Sequence, residues 1–480
     1  MVAAGNLWQQ TRRLLLVIRL QPFTAATPEE RSKERYRRIA LTTLSNGLAQ
    51  AISIVVTLVS VPLTIGYLGS ERYGLWMTIS SVIALLGFAD LGMGNGLVNA
   101  VAEANGQDDV GAARRYVSSA FFILSGISAL ILGAFYVAYP LVSWPRVFNV
   151  KTAMAAHESG PAMAVLVTCF ALQLPFSIVK RVQSGYQEGY HTGLWGSIGY
   201  LLGLAGVLVA VWRRAGLIWL VLAMSGGPAL ATVLNWLVQF GSQRRWLVPS
   251  LKAADWAAFR KVGSIGSMFL VLQLVATLAS ASDNFITAQV VGVTAVAAYA
   301  IVQKMFTFGP IIQSLVLGPL WPAYGEALAR GDVYWVKKTL VRSLAVSLAV
   351  TGFFCLILVV LGQWIVKVWV GDKVTVAIPL LVGFALWTVL GTYGTAMSAL
   401  LNGANALGMQ MVSAILFGAS SFGLKIYLAR HWGSTGIIWA TVVGYSVFSC
   451  FPAAIYVRRI LRKREAVSMA HYNGGITSVS

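Results

Sequence analysis

Apolar runs of about 20 residues, divided by short polar connections, leave this chain few folding solutions. That length is what an α-helix needs to cross a bilayer. Twelve such runs can be placed, at 39–65, 75–100, 116–138, 161–182, 194–212, 217–240, 262–284, 293–320, 339–361, 376–400, 408–428 and 434–457. They are continuous rather than alternating, which predicts helices and not the strands of an outer-membrane barrel. Only 11% of the residues are charged and 57% are hydrophobic, against about a quarter charged in a soluble domain. The fold class expected is an all-α integral membrane protein with about twelve transmembrane helices. The longest outer connection, near 139–160, is too small for an enzyme domain.

Charge sets the orientation. The formal net charge is +20, and Lys and Arg gather in cytoplasmic loops. With the N-terminus inside, the inner segments hold 26 of the 36 Lys and Arg, the outer loops hold 8, and Lys304 and Lys425 fall within runs. Both termini are therefore expected in the cytoplasm, with Arg213–Arg214 as an outer exception. The basic residues are scattered along the chain, which argues against nucleic-acid binding. Cys169, Cys355 and Cys450 all sit in apolar runs, so no disulfide framework or zinc site is expected. Residues 1–38 are basic, and Glu29 with Lys33 and Glu34 with Arg38 have helical pairing distance. That segment reads either as an interfacial helix on anionic lipid or as a solvated tail.

Within the first run, Asn46, Gln50, Ser53, Thr57, Ser60 and Thr64 recur at steps of four and three. That spacing draws a polar seam along one helix face, with apolar residues elsewhere. At an offset of 223, Gln273, Ser280, Asp283 and Thr287 align with Gln50, Thr57, Ser60 and Thr64. Glu103, Ala104, Asp109 and Val110 meet Glu326, Ala327, Asp332 and Val333 at the same offset. Small polar residues also glue membrane helices together; recurrence of the seam favours a wet surface shared by two related halves. Six runs per half make the repeats parallel, with a pseudo-two-fold along the membrane normal. The expected organisation is a basic cytoplasmic segment at 1–38, six-helix bundles at 39–240 and 262–457, a linker at 241–261 and a cytoplasmic tail at 458–480.

A cation in mid-run costs about 2.5–3.5 kcal/mol on insertion scales, so Lys304 should face a cavity or a carboxylate such as Asp90 or Asp283. Lys425 and Arg342, nearer run ends, are expected to snorkel. Lys180 and Arg181 close the fourth run, where a phosphate grip and the positive-inside rule both apply. Asp90 and Asp283 either bind a coupling cation or proton, or pair with Lys304. Gly92-Met93-Gly94-Asn95-Gly96 follows a membrane helix rather than a strand, which predicts a broken helix end and not a dinucleotide loop. Pro62, Pro175, Gly226-Gly227-Pro228, Gly309-Pro310, Gly318-Pro319 and Pro379 are further candidate breaks. No catalytic triad, carboxylate pair or metal cluster stands out, and no enzyme or cofactor is expected.

Val61-Pro62-Leu63-Thr64-Ile65-Gly66-Tyr67-Leu68-Gly69, Tyr73-Gly74-Leu75-Trp76 and Phe88-Ala89-Asp90-Leu91-Gly92-Met93-Gly94-Asn95-Gly96-Leu97 resemble the polysaccharide transporter family. Asp283-Asn284, Gly292 and Tyr299 resemble the matching start of a second half. This family holds the O-antigen and lipid-linked oligosaccharide flippases of the multidrug/oligosaccharidyl-lipid/polysaccharide exporter (MOP) superfamily. The resemblance, over roughly Ala40 to Arg459, implies alternating access in a bacterial inner membrane. It implies movement of undecaprenyl-pyrophosphate-linked sugars to the outer leaflet for surface polysaccharide synthesis. The partners implied are lipid-linked oligosaccharide, the phospholipid membrane, and a glycan polymerase or other assembly enzymes. On that reading Asn46, Gln50, Ser53, Thr57, Asp90, Gln273, Asp283 and Lys304 line the substrate cavity, and Lys304 with Arg181 meets the pyrophosphate. Coupling to Na+ or H+ stays open, and a cation-coupled multidrug exporter of the same fold is the alternative.

Overall fold

The computed structural model describes residues 27–148, 150, 152–291, 293–370 and 376–476. Residues 1–26 of the basic N-terminal segment, and the repeat position Gly292, lie outside the described residues. Two compact units divide the chain, Met1–Ser267 and Met268–Ser480. In the described part of the first unit, α1 is Pro28–Leu86, α2 Met93–Gly106, α3 Val110–Ala138, α4 Ala153–Phe176, α5 Ile178–Gly185, α6 Gly189–Trp212 and α7 Gly216–Val238. The helix α8, Trp256–Ile286, runs across the division. The second unit continues with α9 Val293–Phe306, α10 Phe308–Leu317, α11 Leu320–Ala329, α12 Val333–Val370, α13 Ile378–Gly403, α14 Leu407–Tyr445 and α15 Phe451–Ile476.

Nine helices among the described residues are long and apolar enough to cross a bilayer. One of them, Leu407–Ala466, holds two of the expected crossings, separated at Gly433 with φ +60°. The second and eighth expected runs do not reappear as single spans. The second breaks over residues 87–92, where Leu91 and Gly92 have φ of 50° and 73°. The eighth is divided into α9, α10 and α11. Breaks at Thr307 and at Gly318-Pro319 follow from proline's missing N–H and its restriction of the preceding residue. Pro175 likewise precedes the α4–α5 junction.

In the first unit, the ends of α6 serve as landmarks. Ser45 donates to the carbonyl of Tyr190 at 2.7 Å, near the start of α6. Tyr67 accepts from the amide of Gly216, just past its end, and Arg72 pairs with Glu158. Asp90 lies by Arg181, near the first end again. The chain therefore crosses this unit between Ser45 and Tyr67, a path of about 33 Å at 1.5 Å per helical residue, and returns between Arg72 and Asp90.

Glycine fixes the closest approaches. A Cβ on Gly227 would lie 2.5 Å from the backbone nitrogen of Gly203. Gly226-Gly227-Pro228 thus does not break α7; it lets α6 and α7 touch backbone to backbone, the role small residues play between membrane helices. Gly96, just past the broken helix end, faces the backbone of Val262 and Gly266 on α8 in the same way.

Apolar packing follows the repeat of helices. Leu97, Val117, Ile178, Val182 and Val262 are fully buried in one cluster of the first unit, and Ile79, Leu166, Val207 and Leu217 in another. Tyr299, Val302, Leu381 and Ile437 sit at the centre of the second unit. Outside, α12 exposes Val341, Val346, Val350, Phe353, Leu356, Val360 and Trp364 along its length. So extended an apolar strip is a lipid surface, with Trp364 at the interfacial depth that indoles prefer.

Candidate functional site

The helix break at 87–92 carries the first charged cluster. Gly92 donates its amide to Asp90 Oδ1 at 2.9 Å, which closes the turn. Arg181 Nη2 lies 3.7 Å from Asp90 Oδ2, and Arg181 Nη1 donates to Asn95 Oδ1 at 2.9 Å. A Cβ on Gly94 would come within 2.6 Å of Arg181 Nε, so a larger residue there would have to displace the guanidinium. The side chain of Arg181 is still 40% exposed, against 18% for Asp90. Asp90 is therefore paired with Arg181 and not with Lys304. The pairing leaves Arg181 with an accessible side.

Asp283 has two partners inside the second unit. Lys425 Nζ lies 2.6 Å from Oδ1, and Tyr299 donates its hydroxyl to Oδ2 at 3.0 Å. Lys425 is 1% exposed. This overturns the expectation that Lys425 snorkels, and of the alternatives open for Asp283 it answers Lys425 rather than Lys304. An ammonium in mid-helix is held where a carboxylate faces it, because an unpaired buried charge is far more costly than a paired one. Arg342, by contrast, is exposed.

Lys304 is exposed and makes no ion pair with a described residue. It lies about 16 Å along the helix from Val293 at 1.5 Å per residue, in the last turn of α9. Thr307 beside it is exposed too, and donates to the carbonyl of Gln303 at 3.0 Å.

The polar seam divides by exposure. Gln50 and Thr57 are exposed, Asn46 and Ser53 half-buried, and Ser60 and Thr64 buried. At about 100° per residue, the exposed Leu44, Leu48, Val55 and Val59 fall on the opposite side of α1. The matching Gln273 is also exposed, with exposed Thr277 one turn on. The threonines satisfy their hydroxyls on their own helices: Thr57 donates to Ser53 O at 2.8 Å and Thr277 to Gln273 O at 2.8 Å. The side-chain amides of Gln50 and Gln273 have no partner among the described residues.

No family profile matches the sequence. A protein from Salmonella typhi named "Putative O-antigen transporter" is 20% identical over 430 residues, 88% of this chain and 96% of the relative. A protein of the same name from Salmonella typhimurium strain LT2 is 22% identical over 64% of this chain and 70% of its own. Among solved structures, the outward-facing form of a multidrug resistance MATE family transporter of the MOP superfamily superposes with a TM-score of 0.73 at 13% identity, covering 90% of this chain and 96% of its own. MATE in the bent conformation gives 0.77 at 14% identity over 91% and 97%. The chain has the fold of MATE transporters of the MOP superfamily. Its sequence likeness to the putative O-antigen transporter of Salmonella typhi extends over most of its length, the motifs around Pro62 and Asp90 included.

Other charges in this chain do structural work, some of which sequence spacing did not reveal. Glu158 takes a bidentate Arg72 at 2.7 and 2.8 Å and also accepts the amide of Leu217 at 3.0 Å. One carboxylate thereby ties the start of α4, the first turn of α7 and the bend of α1. The only signal in the sequence was a carboxylate near the edge of an apolar run. Glu34 accepts from Arg37 and from Arg38, the latter at 2.8 Å as the helical spacing predicted. Among the described residues, no three His, Cys, Asp or Glu gather in a metal-binding group.

Proposed function

We propose that this transporter moves undecaprenyl-pyrophosphate-linked oligosaccharide from the cytoplasmic to the periplasmic leaflet of a bacterial inner membrane. Both termini are cytoplasmic in this reading, and the product feeds surface polysaccharide assembly by polymerising enzymes. The observation that carries it is the unpartnered exposed amides of Gln50 and Gln273, at matched positions of the two units. Amides in a membrane helix that lack protein partners are costly against acyl chains. Against water or sugar hydroxyls they are satisfied. The relatives' names support the sugar class.

In this mechanism the glycan passes along polar walls made by Asn46, Gln50, Ser53, Thr57 and Gln273, while the polyprenyl tail stays in lipid. Lys304 offers its free ammonium to the pyrophosphate, and Arg181 offers the open side of its guanidinium. Interrupted helices in both repeats, at 87–92 in the first and at Thr307 and Gly318-Pro319 in the second, suit a body that bends between inward-open and outward-open forms. A drug exporter coupled to Na+ or H+ is the second reading, favoured by the MATE neighbours. Against it, Asp90 and Asp283 already hold cationic side chains, which leaves neither carboxylate open.

Reconstitution in proteoliposomes with lipid-linked oligosaccharide tests the proposal. Lys304→Ala should slow translocation about tenfold or more, since a charge-assisted hydrogen bond contributes about 1.5–3 kcal/mol. Unchanged translocation rejects the lysine's role. Drug efflux that fails with Asp90→Asn or Asp283→Asn, without any glycan transport, selects the exporter instead.

A further inference from the structure

The end of the second unit where α12 begins and α15 runs on carries a dense cationic surface that the transport reading does not use. On α15, Arg458, Arg459, Arg462 and Lys463 are all exposed, while Val457 and Leu461 on the other face are buried. Lys337 Nζ lies 2.5 Å from Glu465 Oε2, which pins α15 to the first turns of α12. Lys338 and Arg342 there are exposed as well. From Gly436 to Arg458 the path is about 33 Å at 1.5 Å per residue, just beyond a hydrocarbon core of about 30 Å. The cations therefore sit at headgroup depth. Directly below them, on the membrane side, Phe451, Ile455 and Tyr456 of α15 are exposed and largely apolar.

We infer that this surface docks an anionic glycerophospholipid, with its phosphate among Arg458, Arg459, Arg462 and Lys463 and its acyl chains along Phe451, Ile455 and Tyr456. Topology asks only for cations near the cytoplasmic end of a span. It does not ask for four on one helix face, continuous with an apolar strip that suits acyl chains. The charge and the strip together match a lipid better than a soluble anion, which needs no strip. The inference is independent of what the transporter carries.

The test uses the full chain purified in detergent. Native mass spectrometry would follow retention of phosphatidylglycerol and phosphatidylcholine, with thermal unfolding in parallel. Phosphatidylglycerol should be retained in preference. At about 1 kcal/mol for each basic residue near an anionic surface, and tenfold per 1.4 kcal/mol, Arg459→Gln with Lys463→Gln should cut that preference roughly 30-fold. Arg114→Gln with Arg115→Gln, in the first unit, should leave it intact, as should the charge-keeping Arg459→Lys. Added salt should weaken retention by the wild-type chain, a measurement that stands even if the neutralised variant fails to fold. Equal retention of the two lipids overturns the inference. So does an unchanged preference in the folded double variant, and so does inorganic pyrophosphate binding the same residues as tightly as the lipid.

Discussion

The Lys425 ammonium and the Asp283 carboxylate hold each other inside the second unit, with Tyr299 donating to the same carboxylate. Lys425→Met should destabilise by about 3–5 kcal/mol, because it strands a buried charge. Asp283→Asn combined with Lys425→Met should recover much of that loss, since neither charge is then left alone. Chemical unfolding in detergent checks both; equal loss in the single and double variants would contradict the pairing. Gly227 offers a sharper packing comparison. Gly227→Val must push its Cβ into the backbone of Gly203, whereas a Cβ on Gly226 meets only the Leu222 side chain at 3.4 Å. Overpacking costs typically about 1–3 kcal/mol, so Gly227→Val should lower Tm clearly and Gly226→Val far less.

At the scale of elements, the repeat is realised in matching hydrogen bonds. Asp109 Oδ1 accepts the amide of Ala112 at 2.8 Å and opens α3; Asp332 Oδ1 accepts that of Trp335 at 3.2 Å and opens α12. The amide of Asp109 donates to Ala104 O at 2.9 Å, and that of Asp332 to Ala327 O at 2.9 Å. The residues that survive in both halves are those that cap a helix and turn the chain into it. Replacing either aspartate by Ala should cost about 1 kcal/mol, and by Asn much less, because Asn still caps. Parallel thermal scans of the four variants check this. The same back-bond also recurs inside the seam: Thr64 donates to Ser60 O at 2.7 Å and Thr287 to Asp283 O at 2.7 Å. The broken second and eighth runs belong here too. Their Gly and Pro content was plain in sequence, but the residues at which each run stops being helical depend on neighbours, as Gly94 under Arg181 and Gly96 against Val262 make clear.

For the whole molecule, the proposal drawn from the loop cations is that both ends of the chain lie on the cytoplasmic side. A reporter fused after Ser480 should therefore be active only in the cytoplasm, and a reporter inserted near Arg213 only outside. The reverse pattern would overturn the assignment of sides.

Sequence alone determined that this chain is helical and membrane-spanning, because about 20 apolar residues in a row have no other stable solution in lipid. It also determined the internal repeat, since matching polar residues at one offset need no neighbours to be seen. Tertiary structure alone decided which charges meet. Asp90 could have answered Lys304 on any reading of spacing, yet Arg181 reaches it, and Lys425 rather than Lys304 answers Asp283. Such pairings join residues far apart in the chain, and they depend on which helix faces are turned together. Periodicity places a residue on a face of its own helix; only packing says what that face looks upon.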